Sequence, residues 1–283
     1  MIPEFSTSSC RGGAPREKMD GVSTQAVTVD APADLLTEDR DGIRILAMGR
    51  GKANAISTEF AVALHGAALA AQEDSAVRGV VLTSRSPKIF CGGFDLRRLA
   101  HAAPEDFGRF VRVFDALFFD LFLLGKPLVA ALTGHAVAGG ALLAATADFR
   151  FAAAGPGTIG LPEVRLGIHV PRHCVEAMRT TVGEQALTRW ALLGETMPFE
   201  EAHALGAIDR IVPPDRLVEE AVRFARQLGG ASSEVYAAIK RDLRGSAYDK
   251  AQDVLPDGRK AFVDSWFSEI GQRGLASALH RGS

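Results

Sequence analysis

The sequence predicts an α/β core with a helical C-terminal region. Three observations carry that expectation. Short β-rich runs alternate with turns and helical periods over the first two thirds of the chain, while the last third is helical apart from one short strand at residues 207–212. Apolar residues make up 47% of the 283 and charged residues 23%, enough for a sizeable core and too apolar for global disorder. No internal repeat breaks the chain, so the expected organisation is a leader over 1–37, a core carrying the site over 38–212 and a helical region over 213–283.

Taken in order, residues 1–37 are rich in Ser, Thr, Gly, Pro and Ala without a sustained period, and read as a mobile leader. IRILAM at residues 43–48 is the first expected strand. GRGKANAIS follows as a loop, with Ser57 as N-cap of a helix running to residue 72 and Glu59 in its first turn. VRGVVLT at 77–83 is a β-branched strand of the doubly buried type, and FCGGFDL is the turn after it. Residues 104–124 give the clearest helix: Phe107, Phe110, Phe114, Leu117, Leu121 and Leu124 recur every three or four positions. Lys126-Pro127 ends it. LVAAL is a strand, TGHAVAGG a turn into a short helix, and DFRFAA at 148–153 another strand. Helices are expected at 170–182, 183–193, 199–205, 214–228, 232–243 and 259–279.

Charge and cysteine content narrow the functional classes. Lys and Arg total 32 against 34 Asp and Glu, which gives no general attraction to nucleic acid or anionic lipid. No apolar run approaches the roughly 18 residues that span a bilayer. The three cysteines, Cys10, Cys91 and Cys174, are widely spaced, which fits neither a disulfide framework nor a zinc site and suits a reducing, cytoplasmic setting.

Two glycine pairs and one glutamate carry the chemistry. Gly139-Gly140 opens the helix ALLAATA, and Gly92-Gly93 stands before Phe94. Glycine lets backbone approach a ligand, and a helix N-terminus presents free N–H groups to developing negative charge. Glu163 sits among Ile159, Leu161, Leu166 and Ile168, and a carboxylate in apolar surroundings has a raised pKa suited to moving protons. Taken singly, each glycine pair reads more readily as a tight turn and Glu163 as an exposed loop residue.

Together, IFCGGFDL, LTGHAVAGGALLAATADFRFAA and TIGLPEVRLGI resemble the crotonase (enoyl-CoA hydratase/isomerase) superfamily over about residues 39–281. The resemblance implies a spiral of ββα units, a homotrimer or dimer of trimers assembled through the C-terminal helices, and an acyl-CoA thioester substrate. It implies no metal or redox cofactor; the charge balance and the lack of a long apolar run point to no nucleic-acid partner and no membrane insertion. The N–H groups of Phe94 and Gly139 would hold the thioester oxygen. Gly92, Gly93, Asp95, Leu96, Gly140, Leu142 and Pro162 would border the acyl thioester and pantetheine, with Lys52, Ala53 and Ala55 along the CoA nucleotide. Where hydratases of the superfamily carry the first of two glutamates, this chain has Leu142, and the second position is Glu163. That pattern is similar to the Δ3,Δ2-enoyl-CoA isomerase branch, in which one glutamate moves a proton from C2 to C4, in fatty-acid β-oxidation. Hydration, another crotonase reaction on a specialised acyl-CoA, and non-catalytic acyl-CoA or RNA binding are the alternatives. His169 could line the acyl pocket but is read as a rim residue, His135 and His173 are unassigned, and Cys91 is read as inert packing. Asp95 could cap a helix, and Asp148 is expected to order a strand start.

Overall fold

The structure, a computed structural model, describes residues 34–281. The leader expected over 1–37 therefore lies outside the described residues, except that its last positions enter a strand. That strand, β1 (Leu35–Arg40), pairs antiparallel with β2 (Ile43–Met48) across a two-residue turn. Asp41 and Gly42 both have positive φ, 54° and 78°. This is the backbone that a tight hairpin requires and that Asp-Gly supplies.

Parallel strands then extend the sheet. β3 (Gly79–Ser84), β5 (Leu128–Leu132), β7 (Phe149–Ala153) and β10 (Arg210–Val212) follow β2 in the order β1-β2-β3-β5-β7-β10. Their near-continuous burial matches the unbroken apolar runs in the sequence. A second sheet holds three-residue strands: β4 (Ile89–Cys91), β6 (His135–Val137), β8 (Thr158–Gly160) and β9 (Thr196–Pro198). β4, β6 and β8 run parallel, and β9 returns antiparallel to β8. The segments expected as plain turns at FCGGFDL and TGHAVAGG thus begin with a strand of this smaller sheet. Three residues show no period, so alternation could not reveal them.

Helices leave the second sheet. α1 (Thr58–Glu73) precedes β3 and starts as expected, with Ser57 Oγ accepting the Phe60 N–H. After β4 come α2 (Leu96–Leu99) and α3 (Pro104–Phe122), whose phenylalanine stripe is buried throughout. α4 (Gly139–Thr146) follows β6, and α5 (Glu163–Leu166) follows β8. α6 (Arg172–Met178), α7 (Glu184–Thr188), with a wider π turn over Arg189–Leu193, and α8 (Phe199–Ala204) complete the middle of the chain. α9 (Leu217–Leu228) lies across β3 and β5.

The C-terminal region corrects one expectation. Instead of separate helices at 232–243 and 259–279, α10 (Ser233–Phe267) runs unbroken for 35 residues with Pro256 inside it. Proline removes one helical hydrogen bond and clashes with the preceding turn, but the packing of α10 on α3 and α6 carries the helix through. The break falls at Ser268, whose extended backbone turns the chain into α11 (Glu269–Arg281). Ser268 Oγ accepts the Gly271 N–H, starting the new helix. Among the described residues no helix is long and apolar enough to cross a membrane.

Candidate active site

Three loops meet where β4, β6 and β8 end. The first is the turn after β4. Ile56 and Phe94 form a parallel bridge in which the Ile56 N–H donates to Gly93 O (2.8 Å) and the Asp95 N–H to Ile56 O (2.9 Å). A bridge of this kind uses the neighbours of Phe94, so the Phe94 N–H is turned away from it. Gly93 reaches φ +97°, and a Cβ there would stand 2.9 Å from Ala138 Cβ and 3.2 Å from the Gly139 nitrogen. Only glycine admits the two turns so close together.

The second loop leads into α4. Ala138 holds φ 54°, ψ −125°, a backbone that a residue with a side chain adopts only under strain. Its N–H donates to Gly160 O at 3.0 Å, tying the mouth of α4 to β8. Gly139 is the first residue of α4, so its N–H has no acceptor within the helix. Gly140 serves packing: a Cβ there would fall 2.1 Å from Cys91 O.

The third loop brings Glu163, the first residue of α5, with Pro162 before it. The side chain is 8% exposed, and Oε2 is buried with no hydrogen-bond partner among the described residues. Burial pushes its pKa up to about 7, opposed only by a backbone N–H. A charged form without partners in apolar surroundings is costly, so the proton is held more tightly than on an exposed glutamate.

These loops wall a cavity of about 290 Å³. Of the sequence-predicted residues, Gly92, Phe94, Leu96, Gly139, Leu142, Pro162 and Glu163 line it. Glu163 is the single ionisable group among the lining residues. Gly93 and Gly140 stand behind, setting the approach of the turns. Asp95 occupies the N-cap position of α2 without a capping hydrogen bond, and its carboxylate pairs with Arg50 Nη1 at 3.0 Å. Lys52 and Ala53 are exposed and Ala55 half-buried, away from the cavity lining but on the loop that clamps the β4 turn, where the Gly92 N–H donates to Ala53 O (2.8 Å).

Several contributors were missed by sequence reasoning. Asn54, buried at φ 46°, donates to Ser84 Oγ (2.7 Å) and Phe90 O (3.1 Å) and accepts the Arg50 N–H (2.7 Å). It pins the loop to β4, and asparagine's tolerance of left-handed backbone was the available signal. Leu166, Ile168 and Pro171 complete one wall, and Phe262 and Trp266 of α10 with Leu275 and Ala278 of α11 complete another. The region expected to serve assembly therefore also closes the chain's own cavity. Nothing in local spacing ties residue 266 to residue 163.

The remaining candidates lie elsewhere. His169 is exposed, and its N–H donates to Ser265 Oγ. His135 Nδ1 pairs with Thr158 Oγ1 in the second sheet. His173 is fully buried, with Nε2 2.8 Å from Asp115 Oδ1, while Asp115 Oδ2 accepts from Arg259 Nε. Burial lifts the Cys91 thiol to about 12, so it is a thiol and not a nucleophilic thiolate at neutral pH. Asp148 orders the strands as expected, accepting the Leu128 N–H at 2.8 Å.

A family model described as enoyl-CoA hydratase/isomerase matches residues 38–277, most of the chain. The chain belongs to that family. It is an acyl-CoA enzyme of the crotonase superfamily, with the α/β crotonase fold and a long helical C-terminal region. The rat protein named enoyl-CoA delta isomerase 1, mitochondrial, is 32% identical over 245 residues, covering 86% of this chain and 83% of its own length. Carnitinyl-CoA dehydratase of Salmonella arizonae is 34% identical over 201 residues, covering 70% and 76%. Among solved structures, human mitochondrial delta3-delta2-enoyl-CoA isomerase superposes with a TM-score of 0.83 at 27% identity, covering 88% of this chain and 97% of that one.

Proposed function

We propose that this crotonase moves a double bond, converting 3-enoyl-CoA to trans-2-enoyl-CoA. The observation that carries the reading is the cavity's single carboxylate: Glu163 faces an otherwise apolar wall, with Leu142 among its lining partners. Hydration needs a water held and deprotonated between polar groups, and a leucine does neither. A 1,3-proton shift needs one base. Glu163, ionised, takes the C2 proton; the electron pair moves into the thioester, and charge gathers on its oxygen. The N–H groups of Phe94 and Gly139 stabilise that oxygen, by a few kcal/mol each. Protonated Glu163 returns the proton at C4, the double bond settles between C2 and C3, and the carboxylate is regenerated. A pKa of about 7 suits both halves of the cycle, since the group must accept and release near neutral pH. The similarity to enoyl-CoA isomerases supports the same reading. We further propose a cytoplasmic enzyme of fatty-acid β-oxidation that assembles as a homotrimer or dimer of trimers.

The test supplies 3-hexenoyl-CoA and, separately, crotonyl-CoA to purified protein and follows mass and absorbance. The expected result is isomerisation of the first at unchanged mass, reduced about 10³-fold in Glu163→Gln, as for loss of a positioned base. Gain of water on crotonyl-CoA at a comparable rate overturns the reading in favour of hydration.

A further inference from the structure

The cavity has two kinds of wall. The reacting groups come from the loops after β4, β6 and β8, whereas α10 and α11 add Phe262, Trp266, Leu275 and Ala278, a surface apolar but for the indole nitrogen. The part of the substrate that meets this second wall is therefore the hydrocarbon remainder of the acyl group.

That wall is braced. Phe262 and Trp266 are each 2% exposed. The Trp266 ring stacks on Phe107 of α3, centroids 4.4 Å apart and planes 23° apart, and Phe107 is itself fully buried. Phe262 meets Phe107 at 5.8 Å and Phe94 at 6.2 Å, and Phe94 is wedged edge-on between Phe110 and Phe114 at 4.7 and 4.8 Å. To admit a longer chain, Trp266 would have to displace a fully buried ring that also meets Phe110, Phe262 and Phe267, and interiors packed this closely yield little. α11 is fixed as tightly: a Cβ at Gly274 would lie 2.0 Å from Leu166 O on α5, so that helix sits directly on the element bearing Glu163.

We propose that Trp266, backed by Phe107, is the stop of the acyl pocket and restricts this enzyme to short and medium straight-chain acyl thioesters. At about 290 Å³ the cavity stands at the small end of ligand pockets, which suits a short or medium acyl chain and not a long one. The inference deepens the isomerase reading and rests on it for the identity of the reacting group, but the length limit is measurable without turnover.

The experiment measures binding of saturated hexanoyl-, octanoyl-, decanoyl- and lauroyl-CoA by calorimetry, alongside turnover of the matching 3-enoyl thioesters. In the wild type, affinity should fall at least tenfold between the shorter thioesters and lauroyl-CoA. Trp266→Ala should raise the lauroyl-to-hexanoyl affinity ratio at least tenfold, with the ratio of kcat/KM values moving the same way. Trp266→Leu, which keeps an apolar filler and so preserves the fold, should move both ratios in the same direction by less. Equal wild-type affinity for hexanoyl- and lauroyl-CoA, or ratios unmoved in both folded variants, overturns the proposal. Loss of turnover on every 3-enoyl substrate with the binding pattern intact would sink the isomerase reading and leave the length stop standing.

Discussion

At the scale of the residue, Glu163 ties chemistry to stability through one number. Its pKa, near 7 in the folded chain, stands above the ordinary 4.5 because burial disfavours the charge. If the carboxylate is the base, kcat/KM must rise with pH toward a plateau above about 7, with the proton lost from free enzyme. A pH profile flat between about 5 and 9 would exclude that role. The same shift sets a stability trend. Between about 4.5 and 7 the folded chain holds a proton that the unfolded chain releases, so folding weakens as pH rises through this window, by about 3 kcal/mol in full. Glutamine carries no such penalty. Glu163→Gln should therefore match the wild type near pH 4.5 and exceed it by about 3 kcal/mol above pH 8 or so, while losing activity, as read by urea melts at the two pH values. Much of this residue was legible beforehand: its apolar neighbours in sequence, Ile159, Leu161 and Ile168, are buried in the structure as well. The covering Trp266 was not legible, because it lies about a hundred residues away and only tertiary packing brings it in.

At the scale of the element, glycines separate what sequence can and cannot say. Asp41-Gly42 is a hairpin signal that the sequence reading passed over, and only the first half of β1 fell within the expected leader, because polar Thr37, Glu38 and Asp39 break any apolar run on an edge strand. α10 carries two interior glycines that read alike and act differently. Around Gly245 an added Cβ would meet nothing within 4 Å. At Gly258 it would lie 3.1 Å from Arg172 Cβ and 3.2 Å from His173 Nδ1, on α6. Gly245→Ala should thus stabilise the protein by about 0.5–1 kcal/mol, the helix-propensity gain. Gly258→Ala should give back that gain or turn it into a net loss, since α6 must shift. Thermal melts of the two variants decide it, and equal stabilisation by both would mean that α10 and α6 are less closely packed than their separation here requires.

At the scale of the whole molecule, α10 joins the large sheet to the cavity. Its first turns bear Tyr236, Lys240 and Arg244, four residues apart, and its last bear Phe262 and Trp266. The α/β core and the helical tail were both evident from the change in pattern near Glu163, but their dependence on each other was not, because it rests on tertiary contacts, among them those of one buried carboxylate. Asp148, at the start of β7, accepts from the Tyr236 hydroxyl (3.0 Å) and pairs with Lys240 (2.7 Å) and Arg244 (3.1 Å). The two cations also cap helices: Lys240 donates to Leu124 O just beyond α3, and Arg244 to Phe122 O and Thr146 O, the last residues of α3 and α4. Burial draws Lys240 down to about 8 despite Asp148, so its charge persists at neutral pH only with the carboxylate beside it. Asp148→Asn keeps the shape and removes the counter-charge, so Lys240 must either give up its proton or stay charged beside Arg244, and the buried Arg244 loses its carboxylate in either case. The expected loss is about 3–5 kcal/mol. Adding Lys240→Met removes the buried amine that has lost its partner, so the double variant should recover part of that loss instead of summing two penalties. Urea melts of the single and double variants give the coupling directly. A strictly additive pair would mean that Asp148 orders only the strand start and that α10 is held to the sheet by its apolar face alone.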